Sequence, residues 1–278
     1  MILLKNKIKN SEALNDFRIN NTEDLPFSFS IVDSPVFGVT LQIQSIPRKI
    51  CPGDCIYCPF GKTIHQLVDR ESYYSIKRTI DDISGLLKLN KQIKYIVISG
   101  PGEPTLNADL NCLIDSIKKI TPLPIAIYTC GSLLWRISVQ KDLLKANAIF
   151  VNIDAADRAI YHCINRFHQL IPYDRYIEGI MNFYNAFAGD IYVRVCLLDG
   201  INTQETHFYR LAALVRKLNP KAVFVSTSSL SIDKSRVLAI NEQRLQKFTS
   251  SFGPSAQILN LDAAFNCNPQ FISDQLDH

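Results

Sequence analysis

The chain has 278 residues, 47% of them apolar and 20% charged, and carries a net charge of +4. These values suit a soluble globular protein with one large domain and a full core. No run of about eighteen apolar residues is present to cross a membrane, and so small a positive charge does not by itself call for a nucleic-acid partner.

In chain order, residues 1–35 are rich in Asn, Asp and Lys and predict a short helix plus loop, an arm across the mouth of the domain formed by the rest of the chain. The opening MILLKNKIKNSEALNDF lacks the apolar stretch of an export signal, so the cytoplasm is the expected compartment. Beyond the arm, β-branched runs alternate with amphipathic ones. Strands are predicted at Val36–Gln44, Tyr95–Ser99, Ile125–Thr129, Ile149–Asp154, Ile191–Leu198 and Ala222–Ser226. A helix is predicted at Thr79–Leu89, with Ile80, Ile83, Leu86 and Leu87 on one face. A second runs over Glu205–Leu218, with Asn202 and Thr203 as candidate N-caps, and a third over Asn241–Phe252 before Gly253-Pro254. The division expected is an arm at 1–35, a βα domain at 36–230 and a helical extension at 231–278.

Three strands carry polar residues on alternate positions, although both faces of a parallel sheet are usually buried. Thr40, Gln42 and Gln44 oppose Val39, Leu41 and Ile43; Asn152 pairs with Asp154; Arg194 and Cys196 oppose Val193, Val195 and Leu197. An incomplete barrel accounts for this, with apolar residues toward outer helices and polar ones toward a central cavity. Six βα units are too few for eight-unit closure, so the fold expected is a partial (β/α)6 TIM-like barrel with one open side.

The chemistry concentrates at Cys51-x3-Cys55-x2-Cys58. Three thiolates hold three corners of a four-iron four-sulfur cube and leave one iron free for a small molecule. A structural zinc site is the alternative; it needs a fourth ligand, for which His65 is the local candidate, and the spacing is not the paired C-x2-C of zinc ribbons. The remaining cysteines (Cys112, Cys130, Cys163, Cys196, Cys267) are scattered, which argues against a disulfide framework. Arg48, Lys49 and Lys62 flank the loop and read as solvated surface or as attractants for an anionic substrate or an electron-donating flavodoxin.

The cysteine triplet with Tyr57 before its third member resembles the radical S-adenosylmethionine (SAM) superfamily. The resemblance extends through SGPGEPTLN (99–107), YTCGSLLW (128–135), VNIDAADRAIYHCINR (151–166) and VCLLDGIN (195–202), and is similar to the single-domain iron-sulfur oxidoreductases related to the wyosine-forming tRNA enzymes. It implies a 4Fe-4S cluster on Cys51, Cys55 and Cys58. SAM would bind the open iron, and its reductive cleavage would yield a 5'-deoxyadenosyl radical that takes a hydrogen atom from the substrate. The segment Ser99, Gly100, Pro101, Gly102, Glu103 and Pro104 would receive the methionine amino group. Tyr57 would lie near the adenine, and Thr129, Gly131, Ser132, Asn152 and Asp154 near the ribose or carboxylate. Arg194 is the candidate for the carboxylate, with a salt bridge to Asp154 as the equal alternative.

Where relatives place an asparagine, this chain has Cys130. Cys130, Cys163 and Cys196 are therefore candidates for a hydrogen-atom donor or substrate contact, against the alternative of buried thiols acting as small apolar groups. The wyosine enzymes carry further cysteines before the triplet, and this chain has none, so one cluster is expected. The expected substrate is a small metabolite or nucleoside-like molecule, and the expected reductant a flavodoxin or ferredoxin. The alternatives are a tRNA base or peptide as substrate, a glycyl-radical activase, and a metal-stabilised binding protein.

Overall fold

The computed structural model describes residues 28–227 and 239–259. The first 27 residues of the expected arm, the 230/231 boundary, and the tail with Cys267 lie outside the described residues.

Six parallel strands form the centre of one sheet: β2 (Gly38–Gln44), β5 (Tyr95–Ser99), β6 (Ile125–Thr129), β7 (Ala148–Asn152), β8 (Asp190–Leu197) and β9 (Ala222–Thr227). They follow one another in space as in sequence, each joined by a crossover, which is the partial TIM-like barrel expected. Two edge strands extend the sheet. One, β10 (Ala256–Ile258), pairs parallel with β9. The other, β1 (Ser28–Ser34), pairs antiparallel with β2 and corrects the expectation of helix and loop for this part of the arm. Its S-F-S-I-V-D-S alternation becomes a strand because the turn at 34–38 folds it onto β2. There Ser34 Oγ accepts the N–H groups of Val36 and Phe37, and Gly38 supplies a φ of +67°.

The helices cover the outer face: α1 (Ile76–Leu89), α2 (Leu110–Ile120), α3 (Ile137–Leu143), α4 (Arg158–Ile164), α5 (Tyr173–Ala186), α6 (Glu205–Leu218) and α7 (Glu242–Ser250). Their apolar stripes, such as Leu110, Leu113, Ile114 and Ile117 of α2, pack on Ile98, Ile127, Val193 and Val195 in the main core. The boundaries of α6 match the prediction, but its caps do not. Asn202 turns back to accept from Leu198 N–H and to donate to the carbonyls of Asp154 and Cys196, and Thr203 Oγ1 accepts from Gly200 N–H. Both side chains close the β8–α6 loop, and the helix starts after Gln204 without a side-chain cap.

Apart from Thr40, buried near the start of β2, the polar residues singled out on the inner face sit toward the C-terminal ends of the strands. Below that rim the face is filled by rings: Phe150 lies 4.4 Å from Tyr128, 4.7 Å from Tyr192 and 5.6 Å from Phe224. Phe37, on the β1–β2 turn, enters from the opposite end and stacks on Tyr95 at 4.0 Å. The wet interior inferred from the alternation is thus a shallow cap over an aromatic floor. No helix among the described residues is long and apolar enough to cross a membrane.

Candidate active site

The cleft lies at the C-terminal ends of the strands, where catalytic groups sit in barrels of this kind. After β2 the chain enters two short strands, β3 (Ile50–Cys51) and β4 (His65–Gln66), paired in parallel around the cysteine loop. Asp54 Oδ1 accepts from Thr63 N–H at 2.7 Å and Thr63 Oγ1 donates to Gly53 O at 2.6 Å, which ties the loop across its base. From the other side, the end of α4 holds it: Asn165 O accepts from Asp54 N–H at 3.1 Å, and Asn165 Nδ2 lies 3.8 Å from Cys55 Sγ. Cys51, Cys55 and Cys58 all line the cleft.

Lys49 corrects the sequence reading most sharply. It is 7% exposed and lines the cleft with the three thiols. Burial works against its charge, yet Cys51, Cys58 and Cys55 together hold its ammonium above the ordinary lysine value. The loop therefore carries its own counter-charge for thiolates. Gly102 supplies a second measure of fit. A Cβ there would stand 2.0 Å from Ile50 O, so only glycine lets the turn after β5 reach the residue preceding Cys51. Three half-buried or buried thiols beside a buried cation and a bare backbone turn suit a thiolate-ligated cluster with a ligand-binding edge. Among the described residues, no three His, Cys, Asp or Glu side chains converge in the manner of a single-ion site, and His65 does not line the cleft.

Of the residues singled out around the cofactor, Tyr57, Ser99, Gly100, Pro101, Gly102, Glu103, Thr129, Asn152 and Arg194 come together on the cleft wall; Gly131, Ser132 and Asp154 lie behind it. Glu103 is 2% exposed and its carboxylate is fully engaged. Oε1 accepts from Thr105 N–H at 3.1 Å, Thr105 Oγ1 at 2.7 Å and Thr129 Oγ1 at 2.6 Å; Oε2 accepts from Cys130 N–H at 2.7 Å. Three donors share Oε1 and one reaches Oε2, so Glu103 clamps the ends of β5 and β6 together. Asp154 makes a comparable knot behind Tyr57. It accepts from Tyr57 Oη at 2.5 Å, Asn165 Nδ2 at 3.2 Å and Cys196 N–H at 2.8 Å. Burial raises its pKa, while these three donors and the charge of Arg194 oppose the rise.

The three extra cysteines separate. Cys130 is on the cleft wall, with its sulfur 3.0 Å from Ser132 Oγ and hydrogen-bonded to Cys51; burial and that bond push its thiol up. Cys196 is buried beneath Tyr57 among Ile164 and Leu198, and Cys163 is exposed on α4, away from the cleft. Lys49 was missed as a site residue because its burial follows from how the cysteine loop folds around it, and Asn165 because its partner is a cysteine 110 positions earlier.

A six-stranded parallel half-barrel with three thiols and a glycine turn at its rim defines a fold for SAM-dependent radical chemistry. The Radical SAM superfamily model matches residues 45–244, and the chain belongs to that superfamily. Among individual proteins, a UPF0026 protein of Helicobacter pylori (strain J99) is 30% identical over 213 residues, 74% of this chain and 67% of that protein. A UPF0026 protein of Methanocaldococcus jannaschii is 32% identical over 206 residues, 73% of this chain and 64% of its own length. A Brachyspira hyodysenteriae protein named GTPase Obg is 32% identical over 230 residues, 83% of this chain but 34% of that protein. The chain thus spans less than two-thirds of the last two relatives. The fold is shared with a radical SAM methyltransferase from Sphaerobacter thermophilus (TM-score 0.60, 15% identity, 86% of this chain and 71% of that one). It is also shared with TYW1 in a structure with a lysine-pyruvate adduct bound (TM-score 0.55, 18% identity, 81% and 77%).

Proposed function

We propose that this chain is a single-cluster radical SAM enzyme that removes a hydrogen atom from a small metabolite or a nucleoside-like substrate. The observation that carries the reading is the shared cleft, lined by Cys51, Cys55 and Cys58, by the Ser99–Pro104 turn and by Lys49. Bound there, a 4Fe-4S cluster supplies the electron that cleaves the SAM sulfonium bond and so provides the hydrogen-abstracting radical.

The protein's own part is to hold and to shield. Cys51, Cys55 and Cys58 are the cluster ligands, and Gly100 to Gly102 present backbone to the methionine amino group. Arg194 faces the carboxylate, and Asn152 the ribose. Glu103 and Thr129, on the cleft wall, fix the strand ends, and Gly131, Ser132 and Asp154 act from behind, Asp154 by holding Tyr57. The aromatic floor keeps water from rising through the barrel and leaves a shallow space above it, which favours a small substrate. Cys130 is the one of the three extra thiols placed for a substrate contact or hydrogen return. The chemistry requires a low-potential one-electron donor, a role that a flavodoxin or ferredoxin would fill.

Anaerobically reconstituted protein given dithionite and SAM is expected to form 5'-deoxyadenosine, and Cys58→Ala is expected to form none. Equal yields from the two proteins would overturn the reading. Salt-sensitive binding of tRNA, with 5'-deoxyadenosine formation accelerated by it, would replace the small substrate with a tRNA base.

A further inference from the structure

We infer that Lys49 is a positioning residue that sets the reduction potential of the cluster through its buried ammonium. The inference rests on the proposed cluster at Cys51, Cys55 and Cys58. Lys49 stands two residues before Cys51, and its carbonyl accepts from Ile64 N–H at 2.9 Å, which pins its backbone across the base of the cysteine loop. From there its buried side chain enters the cleft that Cys51, Cys55 and Cys58 line. A buried ammonium requires an anionic partner. Among the described residues no carboxylate forms an ion pair with Lys49, so the thiolates are that partner.

The consequence is electrostatic. One-electron reduction adds a negative charge to a cluster that already carries three thiolates. A fixed cation in the same dry cleft stabilises the reduced form more than the oxidised form and raises the potential. Solvent screens little of this, because Lys49 is almost wholly buried. Arg48 and Lys62, its neighbours in charge, differ from it in this respect: Lys62 is exposed and Arg48 half-buried, and neither lines the cleft.

The test compares wild type, Lys49→Met and Lys49→Arg after anaerobic reconstitution, by iron and sulfide content and by redox titration followed by electron paramagnetic resonance. Equal iron in the three proteins is expected. At the wild-type midpoint, the reduced-to-oxidised ratio of Lys49→Met is expected to fall about tenfold or more, with Lys49→Arg close to wild type. Where Lys49→Met loses iron, Lys49→Gln repeats the comparison; iron lost from both neutral variants would overturn the inference, by assigning Lys49 to assembly of the cluster and not to its potential. An unmoved midpoint in the neutral variants would overturn it, as would loss of iron from all three variants. A higher KM for SAM with an unchanged midpoint would likewise overturn it, by assigning Lys49 to the methionine carboxylate. Wild type that binds no iron would remove the cluster reading itself, a result distinct from these.

Discussion

Gly102→Ala is expected to abolish cluster incorporation and to lower stability by more than about 4 kcal/mol. The added methyl would meet Ile50 O at 2.0 Å and Ile46 Cγ2 at 2.9 Å, and the nearer obstacle is backbone, which cannot swing aside as a side-chain tip can. Next to it, Glu103 N–H donates to the same Ile50 carbonyl at 3.0 Å. Relief of the clash would therefore break that bond and move Cys51, the following residue, away from Cys55 and Cys58. Gly100→Ala provides the contrast, because its Cβ would lie 3.6 Å from Ile46, an ordinary contact. Iron content after reconstitution and a denaturant midpoint, measured on both variants, check the argument. Iron retained in Gly102→Ala at the wild-type level would refute it.

Glu103→Ala is expected to lose about 3–5 kcal/mol, because it leaves four donors facing a void: two N–H groups and two hydroxyls, all at the strand ends that form the cleft. Glu103→Gln keeps the shape but replaces one acceptor oxygen with a donor amide. Either Cys130 N–H or Thr105 N–H then meets an amide hydrogen, whereas the threonine hydroxyls can turn to accept, and an intermediate loss of about 2 kcal/mol is expected. Chemical denaturation with an unchanged m-value measures both. A Gln variant as stable as wild type would show that the carboxylate is not the clamp described.

The architecture was legible because its strands are short, β-branched and spaced by amphipathic runs. The six central strands fall within two residues of their predicted limits, and α6 within none. The cysteine triplet was legible as a ligand set because its spacing is local. What escaped depends on tertiary placement. Phe37 and Phe150 fall within predicted strands, and nothing in their spacing says that they meet inside the barrel and raise its floor. Lys49 follows Arg48 and looks like solvated surface until the loop wraps three thiols around it. Glu103 reads as part of a turn motif, yet its partners Thr129 and Cys130 lie on the next strand end, 26 and 27 positions on. The strand Ser28–Ser34 has weak alternation and gains its register only from the hairpin turn.

The central claim is that three sulfurs in one loop hold an iron-sulfur cube. Metal and sulfide analysis of anoxically purified protein tests it most directly. Brown protein with about four iron and four sulfide per chain is expected, with most of the iron lost in Cys58→Ala. Colourless protein with one zinc per chain and no sulfide would contradict it.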